Sequence, residues 1–271
     1  MAENDDARMG AAADVLDGWN GHNGIQLAGS LAFFGALSAA PLIVVGAVAA
    51  SLLLGQKAAS GDLVAQLTPI VGAGAAKGLQ SAALAAMTPG RGIAATVVAV
   101  VGTLFGAAGV VVQMRGSLDM ILGRQDLGPI RGALGDWLSA TTAVFAIGVA
   151  AVVALTAWAA VASATLLTGP LESLATGIAT SAILFGLTGL GYRFLPSRRP
   201  AWPIALAGAG LAVAIAVAAT LGMSVYVWTG LAASVYGAAA SFFLLLMWLW
   251  FIGIGFILGA ELVRVLVGRA T

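Results

Sequence analysis

Two ionisable residues three positions apart, Glu261 and Arg264, stand near the end of an apolar run, `FFLLLMWLWFIGIGFILGAELVRVL`, from Phe242 to Leu266. Three positions is nearly one helical turn, so a helix would set the carboxylate and the guanidinium side by side. A carboxylate in hydrocarbon is expensive unless it is paired, neutral or at work. Two kinds of chemistry follow. In the first, Glu261 pairs with Arg264 and anchors the helix at the membrane edge. In the second, Glu261 lines an inner vestibule with Arg115 or Arg193 and binds a cation, a proton or a cationic head group. Anchoring is the preferred reading.

Further polar residues are thinly spread through apolar sequence. Ser38 precedes Pro41 within `SLAFFGALSAAPLIVVGAV`, where the proline removes a backbone donor and predicts a kink that the serine hydroxyl can relieve. Gln113 is a candidate for a buried hydrogen bond. Asp119 reads as a solvated or salt-bridged residue just beyond a membrane edge, and Tyr236 as part of an aromatic belt. No catalytic set emerges from these residues. The chain has no cysteine and one histidine, His22, and it lacks nucleotide-binding and metalloprotease motifs. The expectation is therefore a protein that is not an enzyme, with no cofactor and no metal site.

The elements that position these residues follow from composition. Of 271 residues, 61% are hydrophobic and 8% charged, and the mean hydropathy is +1.03. A water-soluble domain of this length does not have that composition, whereas runs of about 20 apolar residues cross a bilayer core as helices. The prediction is an all-α polytopic membrane protein, a single integral membrane domain with six transmembrane helices. The spans fall at about 27–54, 93–114, 137–167, 174–195, 202–228 and 236–263. An acidic prefix, 1–25, lacks the basic start of a signal peptide and carries Met9, Ala13 and Leu16 at helical spacing, which suggests a short interfacial helix weakened by Gly10, Gly18 and Gly21. Between the first two spans, 55–92 is too polar to cross and reads as an outer helical hairpin beginning at Thr68 and Pro69.

Six spans place both termini on one side. With the termini inside, the inner face carries Arg8, Arg115, Arg124, Arg131, Arg193, Arg198, Arg199, Arg264 and Arg269, and the outer face only Lys57, Lys77 and Arg91. This asymmetry predicts cytoplasmic termini. The net charge of +1 comes from scattered residues and provides no basic stripe for nucleic acid. Membrane lipids, including anionic head groups at the inner edge, are the expected partners; oligomeric state is not legible. The 37 glycines, among them the pairs Gly102 with Gly106 and Gly255 with Gly259, fit close approach of helices within one chain.

Several of these segments, taken in order, resemble the YihY/BrkB family of bacterial inner-membrane proteins, an envelope-integrity group once labelled ribonuclease BN. The resemblance rests on `LSAAPL` around Ser38 and Pro41, `GVVVQMRGSLDMILG` from Gly109, `WPIALAGA` from Trp202, and above all `YGAAASFFLLLMWLWFIGIGFILGAEL` from Tyr236. It implies six transmembrane helices, the inner membrane and a role in the cell envelope, with transport of lipid or another envelope component. A departure occurs at Asp119, where that family usually has asparagine. The ribonuclease label suits neither the absent metal cluster nor the absent basic cleft. Two functions compete: translocation through a cavity lined by Ser38, Gln113, Arg115 and Glu261, and a non-transporting envelope scaffold.

Overall fold

The computed structural model describes residues 2–37, 109–123, 170–228 and 240–270. Among the described residues there are six helices and no strand. They are α1 (Ala2–Gly21), α2 (Gly24–Leu37), α3 (109–122), α4 (Pro170–Phe194), α5 (Trp202–Trp228) and α6 (Ala240–Ala270). Two of them, α5 over Trp202–Tyr226 and α6 over Phe242–Ala270, are long and apolar enough to cross a membrane. α4 occupies the expected position of the fourth span. Ser38, Pro41, the hairpin at 55–92, the span at 137–167, Tyr236 and the Gly102 and Gly106 pair lie outside the described residues.

The prefix differs from its expectation in length. Instead of a short helix weakened by glycine, α1 runs for 20 residues through Gly10 and Gly18. The alanines from Ala11 to Ala13 are the best helix formers. The helix stops at Asn23, whose φ of 54° is left-handed, a conformation asparagine tolerates better than most residues. Its carbonyl then accepts from the amides of Gln26 and Leu27 and starts α2. α3 continues past the expected membrane edge, burying Leu118, Ile121 and Leu122, and ends at Gly123, whose φ of 84° suits glycine.

The chain forms two compact units. One comprises Met1–Ser30, Val111–Leu221 and Trp250–Thr271, the other Leu31–Val110 and Gly222–Leu249. In the second, Gly35 packs on the side chain of Leu249 and Gly109 on the ring of Phe34. In the first, α6 is contacted on more than one side by backbone. A side chain at Gly255 would strike the carbonyl of Ala212, and one at Gly259 the carbonyl of Gly208 and the hydroxyl of Tyr192. On another face Gly253 lies against the backbone of Ala28. The fully buried Tyr192 donates to the carbonyl oxygen of Phe256 at 2.6 Å, and their rings lie 5.0 Å apart. Small residues permit this approach, which substitutes dispersion contacts between helices for contacts with lipid.

The periphery is apolar. Ile25, Phe33, Leu174, Ile178, Leu221, Val225 and Phe242 are all exposed, a surface suited to acyl chains rather than water. The packing of α4 and α5 on α6 gives an ordering of stabilities. Gly259→Ala should destabilise the detergent-solubilised protein by about 2–3 kcal/mol, because the opposing atoms include rigid backbone. Tyr192→Phe removes one interhelical hydrogen bond and should cost about 0.6–1.7 kcal/mol. Reversible unfolding in mixed micelles measures both, and the reverse ordering would contradict the backbone-contact account.

Candidate functional site

On α1 and the turn that closes it, Gly10, Asp14, Gly18 and His22 recur every four residues and so form one stripe. On α6, Glu261, Arg264 and Gly268 do the same at three- and four-residue spacing, and Arg269 follows directly. The two stripes meet antiparallel. Gly10 lies beside the guanidinium of Arg269, and Arg269 Nη2 reaches Asp14 Oδ2 at 3.0 Å. Arg264 Nη2 donates to the carbonyl oxygen of Asp14 at 2.8 Å. Farther along, Gly18 faces Arg264 and Glu261, and His22 reaches Glu261.

Glu261 is the centre of this seam. Its side chain has 0% exposure, against 28% for His22 and 33% for Arg264. Arg264 Nε donates to Oε2 at 2.6 Å and His22 Nδ1 contacts Oε1 at 2.7 Å. Each carboxylate oxygen therefore has its own partner, the condition under which a buried carboxylate is tolerated. An ionised Glu261 only accepts, so the contact with His22 puts the imidazole proton on Nδ1. Gly18 is part of the same arrangement, since a Cβ there would overlap both Glu261 and Arg264.

Beside the seam is a cleft of about 440 Å³ whose walls include Asp14, Asp17, Gly18, His22, Arg264 and Arg269. Glu261 lies behind these residues instead of on the surface. The lining offers opposed charges, two carboxylates against two guanidiniums with an imidazole between them. Such a lining can hold a zwitterionic or anionic polar group and orient it. Among the described residues no group of three or more histidine, aspartate or glutamate side chains could hold a metal ion.

A second polar junction joins α3 to the corner between α4 and α5. Asp119, almost fully buried, accepts from the amide of Ser197 at 2.6 Å and from its hydroxyl at 3.0 Å. Arg115, one turn earlier on α3, stands 3.6 Å from the same carboxylate. Gln113 belongs to a third junction, where its Nε2 donates to the hydroxyl of Ser30 at 2.7 Å. Ser30 in turn donates to the carbonyl oxygen of Leu27. An asparagine at position 119 would retain a carbonyl oxygen for the Ser197 amide, so the acceptor does not depend on the charge.

Of the residues singled out from sequence, Glu261 and Arg264 meet as a pair. Arg115 and Asp119 meet each other at a different junction, and Arg193 stands at the α4–α5 corner beside Phe194 and Trp202. Neither Arg115 nor Arg193 is a partner of Glu261, and neither Gln113 nor Arg115 is among the residues that line this cleft. The physical reason is that His22 and Arg264 already occupy both oxygens of Glu261. Ser38, Pro41 and Tyr236 lie outside the described residues. Sequence reasoning passed over Asp14, Gly18 and His22, although their four-residue spacing in a helical prefix is a stripe signal.

A double-mutant cycle tests the seam. Gly18→Val and Glu261→Gln should each destabilise the protein by about 3 kcal/mol, the size expected when a buried ion pair is disrupted. Together they should cost much less than the sum, because both act by undocking α1 from α6. Additive losses in reversible unfolding would show that Gly18 and Glu261 act independently.

A family model described as Virulence factor BrkB matches residues 15–271, a range that takes in Gly18, His22, the α3 junction and all of α6. No curated protein and no solved structure matches the chain. The family match covers nearly the whole chain, and the long apolar helices agree with it: this is a membrane protein belonging to the virulence factor BrkB family.

Proposed function

We propose that the protein is a multi-pass inner-membrane protein of the bacterial cell envelope that translocates a lipid or a comparable amphiphile between its helices. The observation that carries this reading is the charged cleft of about 440 Å³ at the end of α6. Its volume is within the range of small-molecule sites. Arg264 and Arg269 suit an anionic head group, Asp14 and Asp17 suit an amine on the same molecule, and the exposed apolar faces of α2, α4 and α5 suit its acyl chains. The partners are membrane lipids and not nucleic acid. The activity is passage without bond making or breaking, so the protein is not an enzyme.

Reconstitution tests this function. In proteoliposomes, wild-type protein should speed the movement of a fluorescent phospholipid between leaflets relative to protein-free vesicles. Arg269→Gln should slow that movement about tenfold, by removing one charge-assisted contact to the head group. No acceleration by the wild type would sink the transport reading.

The alternative, a non-transporting envelope scaffold, is favoured by one specific observation: Glu261 is closed off by His22 and Arg264, as a structural lock would be. The scaffold reading requires wild-type vesicles to behave like empty ones. The proposed topology has six spans and cytoplasmic termini, which nine of the twelve basic residues support through the positive-inside bias. Because the chain has no cysteine, single substitutions report topology cleanly. An impermeant maleimide should label Ala2→Cys and Thr271→Cys only from the cytoplasmic face and Ser60→Cys only from the outer face. Labelling of all three from one face would refute the arrangement.

A further inference from the structure

We propose that the corner between α4 and α5 is a binding site for the phosphate head group of an anionic phospholipid, separate from the cleft beside α1. The inference rests on the chain being a membrane protein and does not depend on the transport reading. Three arginines, Arg193, Arg198 and Arg199, fall within seven residues. The guanidinium of Arg193 lies 5.8 Å from the centre of the Phe194 ring and 6.0 Å from that of Trp202. Arg199 lies 5.9 Å from the same Phe194 ring. Two permanent cations thus share one aromatic ring, an arrangement that an anion between them would relieve.

Among the described residues no ion pair joins Arg193, Arg198 or Arg199 to a carboxylate. The sequence has no aspartate or glutamate between Glu172 and Glu261. The carboxylate that does reach the corner, Asp119, is engaged by Ser197 and stands beside Arg115. Arg193 Nε is buried and makes no hydrogen bond. Its ring neighbours lie over the guanidinium and supply no acceptor for Nε.

The corner is also held in shape before any ligand arrives. Pro196 and Pro200, both buried, restrict the backbone on either side of Ser197, Arg198 and Arg199. Ser197 is tied to α3 by two hydrogen bonds to Asp119. Little chain entropy remains to be lost on binding.

The position selects a lipid over other phosphates. Trp202 opens the apolar span Trp202–Tyr226, so the corner falls where the head groups lie. Phe194 and Trp202 are 48% and 44% exposed, apolar surface on which the upper acyl chain and glycerol can rest while the arginines hold the phosphate. The positive end of the α5 dipole adds to the attraction.

The test uses the full-length protein purified from bilayers of phosphatidylcholine mixed with phosphatidylglycerol, with retained lipid counted by native mass spectrometry. Wild type should retain phosphatidylglycerol preferentially. Arg198→Gln/Arg199→Gln should lower that retention about 25-fold, given roughly a 5-fold contribution from each arginine near a membrane surface. Both side chains are exposed, so the variant should unfold at the same temperature as wild type. Should the double variant fail to fold, Arg198→Gln alone decides, with a loss of about 5-fold expected. Undiminished retention in a folded variant, equal retention of both lipids by wild type, or full displacement by millimolar inorganic phosphate would each overturn the proposal.

Discussion

A carboxylate with no exposure to solvent needs a hydrogen-bond donor for each oxygen, and in this protein the donors come from opposite ends of the chain. Arg264 is provided by the helix that carries Glu261, whereas His22 is provided by the turn at the end of α1. The carboxylate therefore does more than tolerate burial. Removing either partner would leave an uncompensated charge, so α1 must sit at one height and one rotation along α6. Gly18 makes that position sterically available, and the contacts of Arg264 and Arg269 with Asp14 extend it by two turns. The cleft is a by-product of this seam: its walls are the parts of the two polar stripes that face each other without closing.

The rest of the first unit applies a different kind of constraint to the same helix. Where α1 meets α6 through charge, α5 and α2 meet it through backbone. Gly255 and Gly259 face α5, and Gly253 faces Ala28. Such contacts are short-ranged and depend on the absence of side chains, so they fix separation, while the ion pairs fix register. Tyr192 joins the two by spanning from α4 to a carbonyl oxygen on α6. Asp119 plays the corresponding role at the α4–α5 corner, with a carboxylate holding a loop amide.

The parts of this arrangement that were legible in the sequence are those governed by local periodicity. The limits of α5 coincide with the expected span 202–228, because Pro203 in its first turn and an uninterrupted apolar run leave little ambiguity. The pairing of Glu261 with Arg264 follows from helical spacing alone, and the packing role of Gly255 and Gly259 from their four-residue interval. What the sequence concealed are contacts between distant segments. A lone histidine in a polar prefix carries no mark of the carboxylate it will meet, and Asp119 looks like any charged residue at a membrane edge until the loop containing Ser197 is placed against it. The glycines of α1 were read as weakening a helix, when Gly18 is there to admit a neighbour.

His22 and Glu261 are separated by 239 positions, and the chain is made from its N-terminus. At about 5–20 residues per second, roughly 10–50 s pass between the synthesis of the two. Throughout that interval α1 exists without the carboxylate that positions it, and Asp14 without its arginines. The contact is consequently a late event in biogenesis, available only after α6 has been delivered to the membrane. Docking of the polar stripe of α1 marks the point at which both of these helices have arrived.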